Sequence, residues 1–321
     1  MIYHLRFDMR ILQVPLHGLV LFGFIFGGLA MQEASADSTP TQDGDRITIG
    51  VGMPAAAFLA REIGRGKVDV IPALPEGSNH EFSSITPKTI SRLLDARIFL
   101  TMGLPFELQI ADSLLQRNPQ LIIVSLDEGI QHIPTNVHTH DQSGHTHSSA
   151  CHTETTEDPH IWMNPLNMIH MAHTLEAVLR NELPSDSDAL EINTKELVDR
   201  LQELHKANLS GLRPLVDAAL LTYHPAFAYY AKAYGLHQIS IEGEGKSPSA
   251  RNISDLLGNP REGMVRCMFI QPQFDTPPIR RLATRLGLPV EVVDPLSTDY
   301  PRMIEHLTTV ILNHYSQPTG S

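Results

Sequence analysis

Four side chains able to hold a metal stand where an α/β chain gathers its ligands. His80 follows the apolar run V-D-V-I-P-A-L, His160 lies in D-P-H-I-W, His224 follows A-L-L-T-Y, and Asp294 ends V-E-V-V-D. If the apolar runs are strands, these residues fall at strand carboxyl ends or in the loops just beyond, where open parallel sheets bind ligands. Three imidazoles and a carboxylate suit Zn²⁺, which takes nitrogen and oxygen donors in a tetrahedron. Thiolates would favour copper(I), and mostly oxygen donors manganese or magnesium. A lone histidine at a strand end is more often a polar cap than a ligand, and Asp294 before Pro295 has the composition of a turn. The recurrence of all four at equivalent places carries the reading.

A second group of histidines precedes the segment of His160. His138, His140, His145, His147 and His152 stand among Thr, Ser, Gly and Asp with no apolar periodicity, as in a loop, whereas His160 is followed by Ile161 and the chain's only tryptophan, Trp162. Loop ligands must be ordered from many conformers, so their affinity for zinc is expected to be lower than that of a cleft. The loop therefore reads as an auxiliary zinc-capturing or sensing arm, with Cys151 as an extra thiolate donor; the plainer alternative is a solvated insertion with incidental affinity. His170 and His173, three apart, could also chelate, although a surface helix explains them equally simply.

These residues need elements to position them. From Arg46 the sequence alternates strand-like R-I-T-I-G-V-G, V-D-V-I-P-A-L, A-R-I-F-L-T-M and L-I-I-V-S with helical A-A-A-F-L-A-R-E-I-G, T-P-K-T-I-S-R-L-L and F-E-L-Q-I-A-D-S-L-L. Such alternation implies a parallel sheet with helices on both faces. From Met168 to about Leu212 the pattern is helical, broken at Pro184, and Leu190, Leu197, Leu201 and Leu204 form one stripe. Alternation then resumes to the C-terminal helix M-I-E-H-L-T-T-V-I-L-N-H-Y. The expected fold is α/β: two parallel-sheet lobes joined by a long linker helix, with the metal site in the cleft. The expected divisions are an export signal at 1–36, a first lobe at 37–165 with the histidine-rich loop at 132–157, a helical segment at 166–213 and a second lobe at 214–321.

Composition narrows the partners. The chain has 321 residues and a formal charge of −12, which disfavours nucleic acid and anionic membrane surfaces and favours cations. Arg6 and Arg10, the apolar stretch Ile11 to Ala30 and Ala34-Ser35-Ala36 form a secretory signal pattern with cleavage after Ala36; Met9 is an alternative start, and an uncleaved anchor the alternative reading. A periplasmic protein is expected. Cys151 and Cys267 are the only cysteines, and their different settings argue against a disulfide between them.

The blocks P-E-G-S-N-H, S-R-L-L-D-A-R-I-F-L-T-M-G-L-P-F-E, D-P-H-I-W-M-N-P, Y-H-P-A-F-A-Y-Y-A-K-A-Y-G-L and V-V-D-P-L-S-T-D-Y occur in this order across nearly the whole mature chain. Together they resemble the periplasmic zinc-binding proteins of ABC-type zinc uptake systems, within the zinc/manganese solute-binding family. The resemblance implies two sheet-and-helix lobes joined by a long helix, and metal in the cleft held by His80, His160 and His224 with Asp294 or a water. It also implies the histidine-rich insertion. Manganese-binding relatives typically carry glutamate where this chain has His224. Pro225 and Gln271 depart from residues common in relatives.

The function these features imply is capture of Zn²⁺ by a monomer and its release to a membrane permease, without catalysis. A manganese or iron carrier on the same fold and a zinc hydrolase are the alternatives. The hydrolase lacks an H-E-x-x-H or G-x-S-x-G stretch.

Overall fold

Strands that must be covered on both faces are apolar throughout, and the central runs here satisfy that requirement. In the computed structural model, which describes residues 46–74, 77, 86–134, 157–242 and 265–316, β1 is Ile47–Val51, β2 Val68–Pro72, β3 Ile98–Thr101 and β4 Ile122–Ser125. The helices between them are α1 (Pro54–Gly64), α2 (Pro87–Leu93) and α3 (Pro105–Leu115). Each begins with proline in its first turn, where the missing N–H costs nothing. The strands pair in parallel in the order β2-β1-β3-β4.

The second sheet repeats this plan. It contains β5 (Ala219–Thr222), β6 (His237–Ser240), β7 (Met268–Ile270) and β8 (Val290–Val292), parallel in the order β6-β5-β7-β8. Its helices among the described residues include α6 (Ala228–Ala233), α7 (Pro277–Leu286) and α8 (Tyr300–Tyr315).

Between the sheets lie α4 (Pro165–Glu182) and α5 (Ser187–Leu212), separated by a 3₁₀ turn at Pro184–Asp186. The leucine stripe of α5 is buried, as its spacing predicts. Its first half is tied to α1 of the first lobe: Asn193 Nδ2 donates to the Ile63 carbonyl at 2.9 Å, and Arg200 pairs with Glu62. Its second half is tied to the helices of the second lobe through Asn208, which donates to Tyr234 Oη at 3.3 Å and accepts from Thr308 Oγ1 at 3.0 Å.

Side-chain alternation explains the layering. Ile98 and Leu100 of β3 enter the large core shared with α1, α4 and α5, while Phe99 enters the opposite layer beneath α2 and α3. In the second sheet Leu220 and Phe269 join that same large core, whereas Leu221, Met268 and Ile270 pack under α7. The linker helices are thus interior to one apolar core that reaches both sheets, rather than a bare strut. Full burial of each such leucine contributes about 1.5–3 kcal/mol.

Among the described residues no helix is long and apolar enough to cross a membrane. The export signal, His80, the five loop histidines and Cys151 lie outside the described residues. Cys267 is a free, buried thiol whose pKa is driven up by burial first and by Glu291 second.

Candidate metal centre

His160 is locked by its own sequence neighbourhood. Asp158 Oδ1 accepts both the backbone N–H of His160 and its ring Nδ1, each at 2.8 Å. Ile161 and Trp162, in a short 3₁₀ turn, are buried, and Trp162 Nε1 donates to the Pro295 carbonyl at 2.8 Å. That bond spans from the loop before α4 to the loop after β8. The tryptophan therefore fixes His160 relative to the second sheet, and its ring lies 5.3 Å from the imidazole.

His224 is positioned by sheet register. β5 and β6 run parallel with Thr222 opposite Ser240, so the residues two further on, His224 and Glu242, emerge side by side at the same end. Glu242 Oε2 lies 3.0 Å from His224 Nδ1. Gln271, just past β7, donates from Nε2 to the His224 carbonyl at 3.2 Å, and Phe274 stacks on the imidazole at 5.4 Å. His224 and Gln271 thereby flank the point between β5 and β7 where the chain order of the sheet reverses, the usual ligand position of this architecture.

The two imidazoles meet. His160 Nε2 and His224 Nε2 are 3.3 Å apart, and the two residues are 2% and 4% exposed. An ionised carboxylate only accepts hydrogen bonds, so the tautomer that suits each ring places its proton on Nδ1, and Nε2 is the nitrogen that could hold a metal. Two nitrogens bound to one tetrahedral Zn²⁺ at 2.0–2.1 Å would be separated by about 3.3–3.4 Å, which is the spacing present. Both carboxylates are almost completely buried, and a dication between the rings would offset their charge. Gln271, Gln273, Phe274, Pro295 and Leu296 complete the small cavity beside the rings.

The other expected residues are placed as follows. Asp294 lies after β8, near this cavity, but its Oδ1 accepts the Leu296 N–H at 3.0 Å, the turn that Pro295 suggested. Among the described residues no set of three His, Cys, Asp or Glu side chains converges as a metal cage. His170 and His173 lie on α4: His170 Nε2 is 2.8 Å from the Glu128 carbonyl, and His173 is 3.5 Å from Glu176.

Sequence reasoning missed Asp158 and Glu242. The signals were present, since D-P-H places a carboxylate two residues before one histidine and Q-I-S-I-E ends a strand in another. It also missed Glu107, at the carboxyl ends of the first sheet. Glu107 Oε2 accepts the backbone N–H groups of Met102 and Leu104 at 2.7 and 3.0 Å. A side chain at Gly52 would place its Cβ 1.9 Å from Glu107 Oε1, so only glycine admits the carboxyl. Burial raises the Glu107 pKa to about 8, against the lowering effect of those N–H groups.

The fold and site define a class: a two-lobed α/β binding protein that presents paired imidazoles at the carboxyl ends of its strands. A family model described as zinc-uptake complex component A, periplasmic (ZnuA), matches residues 51–314, and the chain belongs to that family. A protein of Treponema pallidum (strain Nichols) is 27% identical over 274 residues, covering 83% of this chain and 85% of that one. The high-affinity zinc uptake system protein ZnuA of Bacillus subtilis (strain 168) is 25% identical over 272 residues, covering 84% and 83%. A crystal structure of ZnuA matches with a TM-score of 0.75 at 26% identity, covering 84% of this chain and all of that one. A ZnuA deletion mutant with zinc bound gives the same TM-score and identity over 85% of this chain and 100% of that one.

Proposed function

We propose that the protein captures Zn²⁺ between its lobes and delivers it to the membrane permease of an ABC-type importer. The observation that carries this reading is the His160 Nε2 to His224 Nε2 spacing of 3.3 Å, with a carboxylate on the far nitrogen of each ring. His160 and His224 supply two donors, His80 a third, and Asp294 or a water the fourth. The five loop histidines serve as a weaker auxiliary capture arm. The mature chain begins after Ala36 and works as a monomer in the periplasm. Family membership among zinc-uptake components supports cargo binding over hydrolysis, and the zinc-bound ZnuA deletion mutant supports zinc as the cargo. Protonated imidazole cannot ligate, so acidification releases the ion.

Titration of metal-stripped residues 37–321 with zinc against a competing chelator, with manganese in parallel, tests the proposal. One tight zinc ion plus weaker additional ions is expected. His224→Ala should remove the tight site, whereas deletion of 138–152 should remove only weaker binding. Manganese preference, or tight binding lost with the loop but kept in His224→Ala, would overturn it.

A further inference from the structure

Two chain segments, one leading into residue 134 and one leaving residue 157, are drawn together beside the metal centre. Asp158 N–H donates to the Ile133 carbonyl at 2.8 Å, and Pro134 and Glu157 form an antiparallel bridge. One side chain from the second lobe bonds to both segments at this junction. Ile133 N–H donates to Tyr229 Oη at 3.0 Å, and Tyr229 Oη–H donates to the Asp158 carbonyl at 3.1 Å. Tyr229 belongs to α6, five residues after His224, and is buried. Asp158 then holds His160 through two bonds accepted by one carboxylate oxygen.

We propose that Tyr229 is a positioning residue for the metal centre: from the helix that follows one histidine ligand, its hydroxyl sets the orientation of the other through Asp158. The inference rests on the Zn²⁺ reading above. Its logic is that of an outer-shell partner, which orients a ligating imidazole and fixes its tautomer without touching the ion. The phenol is suited to the task because it donates one hydrogen bond and accepts another, satisfying two backbone groups that would otherwise be left without these partners. Burial pushes its pKa up to about 12, so the donor proton is retained at physiological pH. The arrangement also links both ligand-bearing segments: a shift of α6 relative to residues 133 and 158 would move His160 together with His224.

Tyr229→Phe keeps the buried ring and deletes only the hydroxyl. The test compares the full protein with Tyr229→Phe, Asp158→Ala and the double variant, reading zinc affinity by chelator competition. The His160 Nδ1–H proton resonance of the metal-free protein is recorded in parallel. Tyr229→Phe should weaken zinc about 3–10-fold, the range of one net hydrogen bond, and Asp158→Ala about 10–100-fold. Because alanine removes the acceptor through which both act on His160, the double variant should bind within about twofold of Asp158→Ala. The His160 resonance should shift or broaden in Tyr229→Phe. Wild-type affinity in Tyr229→Phe, additive losses, or weakened affinity with an unmoved resonance would each overturn the proposal. If the wild-type protein bound no zinc tightly, the functional reading would fail, while the metal-free resonance would still decide whether Tyr229 positions His160.

Discussion

Glu242→Gln isolates what the buried carboxylate behind His224 contributes. Glutamine has nearly the same shape and still accepts the Nδ1–H of His224, now 3.0 Å from Glu242 Oε2, so the change removes charge while keeping a hydrogen bond. A carboxylate on the far side of the imidazole stands ~6 Å from an ion bound at Nε2. A dication and a carboxylate at that distance attract by about 1–1.5 kcal/mol in water and roughly 5 kcal/mol at an effective dielectric of 20. Loss of an outer-shell partner typically weakens metal binding 10–100-fold, about 1.4–2.7 kcal/mol, which lies inside that bracket. The expected result is about 30-fold weaker zinc binding in chelator competition, with the metal-free protein still folded by circular dichroism. Affinity within about threefold of wild type would refute the claim that Glu242 acts on the ion through His224. A larger loss in Glu242→Ala than in Glu242→Gln would separate orientation from charge.

Two further outcomes follow from the geometry. Glu107, with its folded pKa raised to about 8 from 4.5, favours the folded state fully below about pH 4.5, and that stability is lost as pH rises through about 8; the full difference is roughly 5 kcal/mol. Urea unfolding of the metal-free protein should therefore show stability falling over this window relative to Glu107→Gln, and parallel pH profiles would refute it. Trp162→Phe removes the hydrogen bond to the Pro295 carbonyl and leaves a buried acceptor without that donor, so a stability loss of about 1–3 kcal/mol is expected. Zinc release into excess chelator, followed by stopped flow, should also be faster; an unchanged rate would mean the bond does not hold the cleft together.

Local pattern alone settled much of this protein. Strand runs such as I-F-L-T and A-L-L-T announce central parallel strands because burial on both faces demands unbroken apolar sequence. The stripe from Leu190 to Leu204 announces its helix because helical periodicity is local. D-P-H-I-W singled out His160 because the histidine and its apolar anchors are adjacent in sequence. Three things depended on tertiary structure. The meeting of His160 with His224 joins residues 64 apart, and only the packing of two sheets around a shared core creates it. The pairing of Glu242 with His224 depends on the register of β5 and β6, which strand composition does not specify. Tyr229 looks like an ordinary aromatic of a short helix until Ile133 and Asp158, from segments between β4 and α4, bond to its hydroxyl. Sequence names the side chains able to bind metal, because ligand chemistry belongs to residue type; tertiary structure decides which meet and what holds them, because those contacts cross between segments that are distant along the chain.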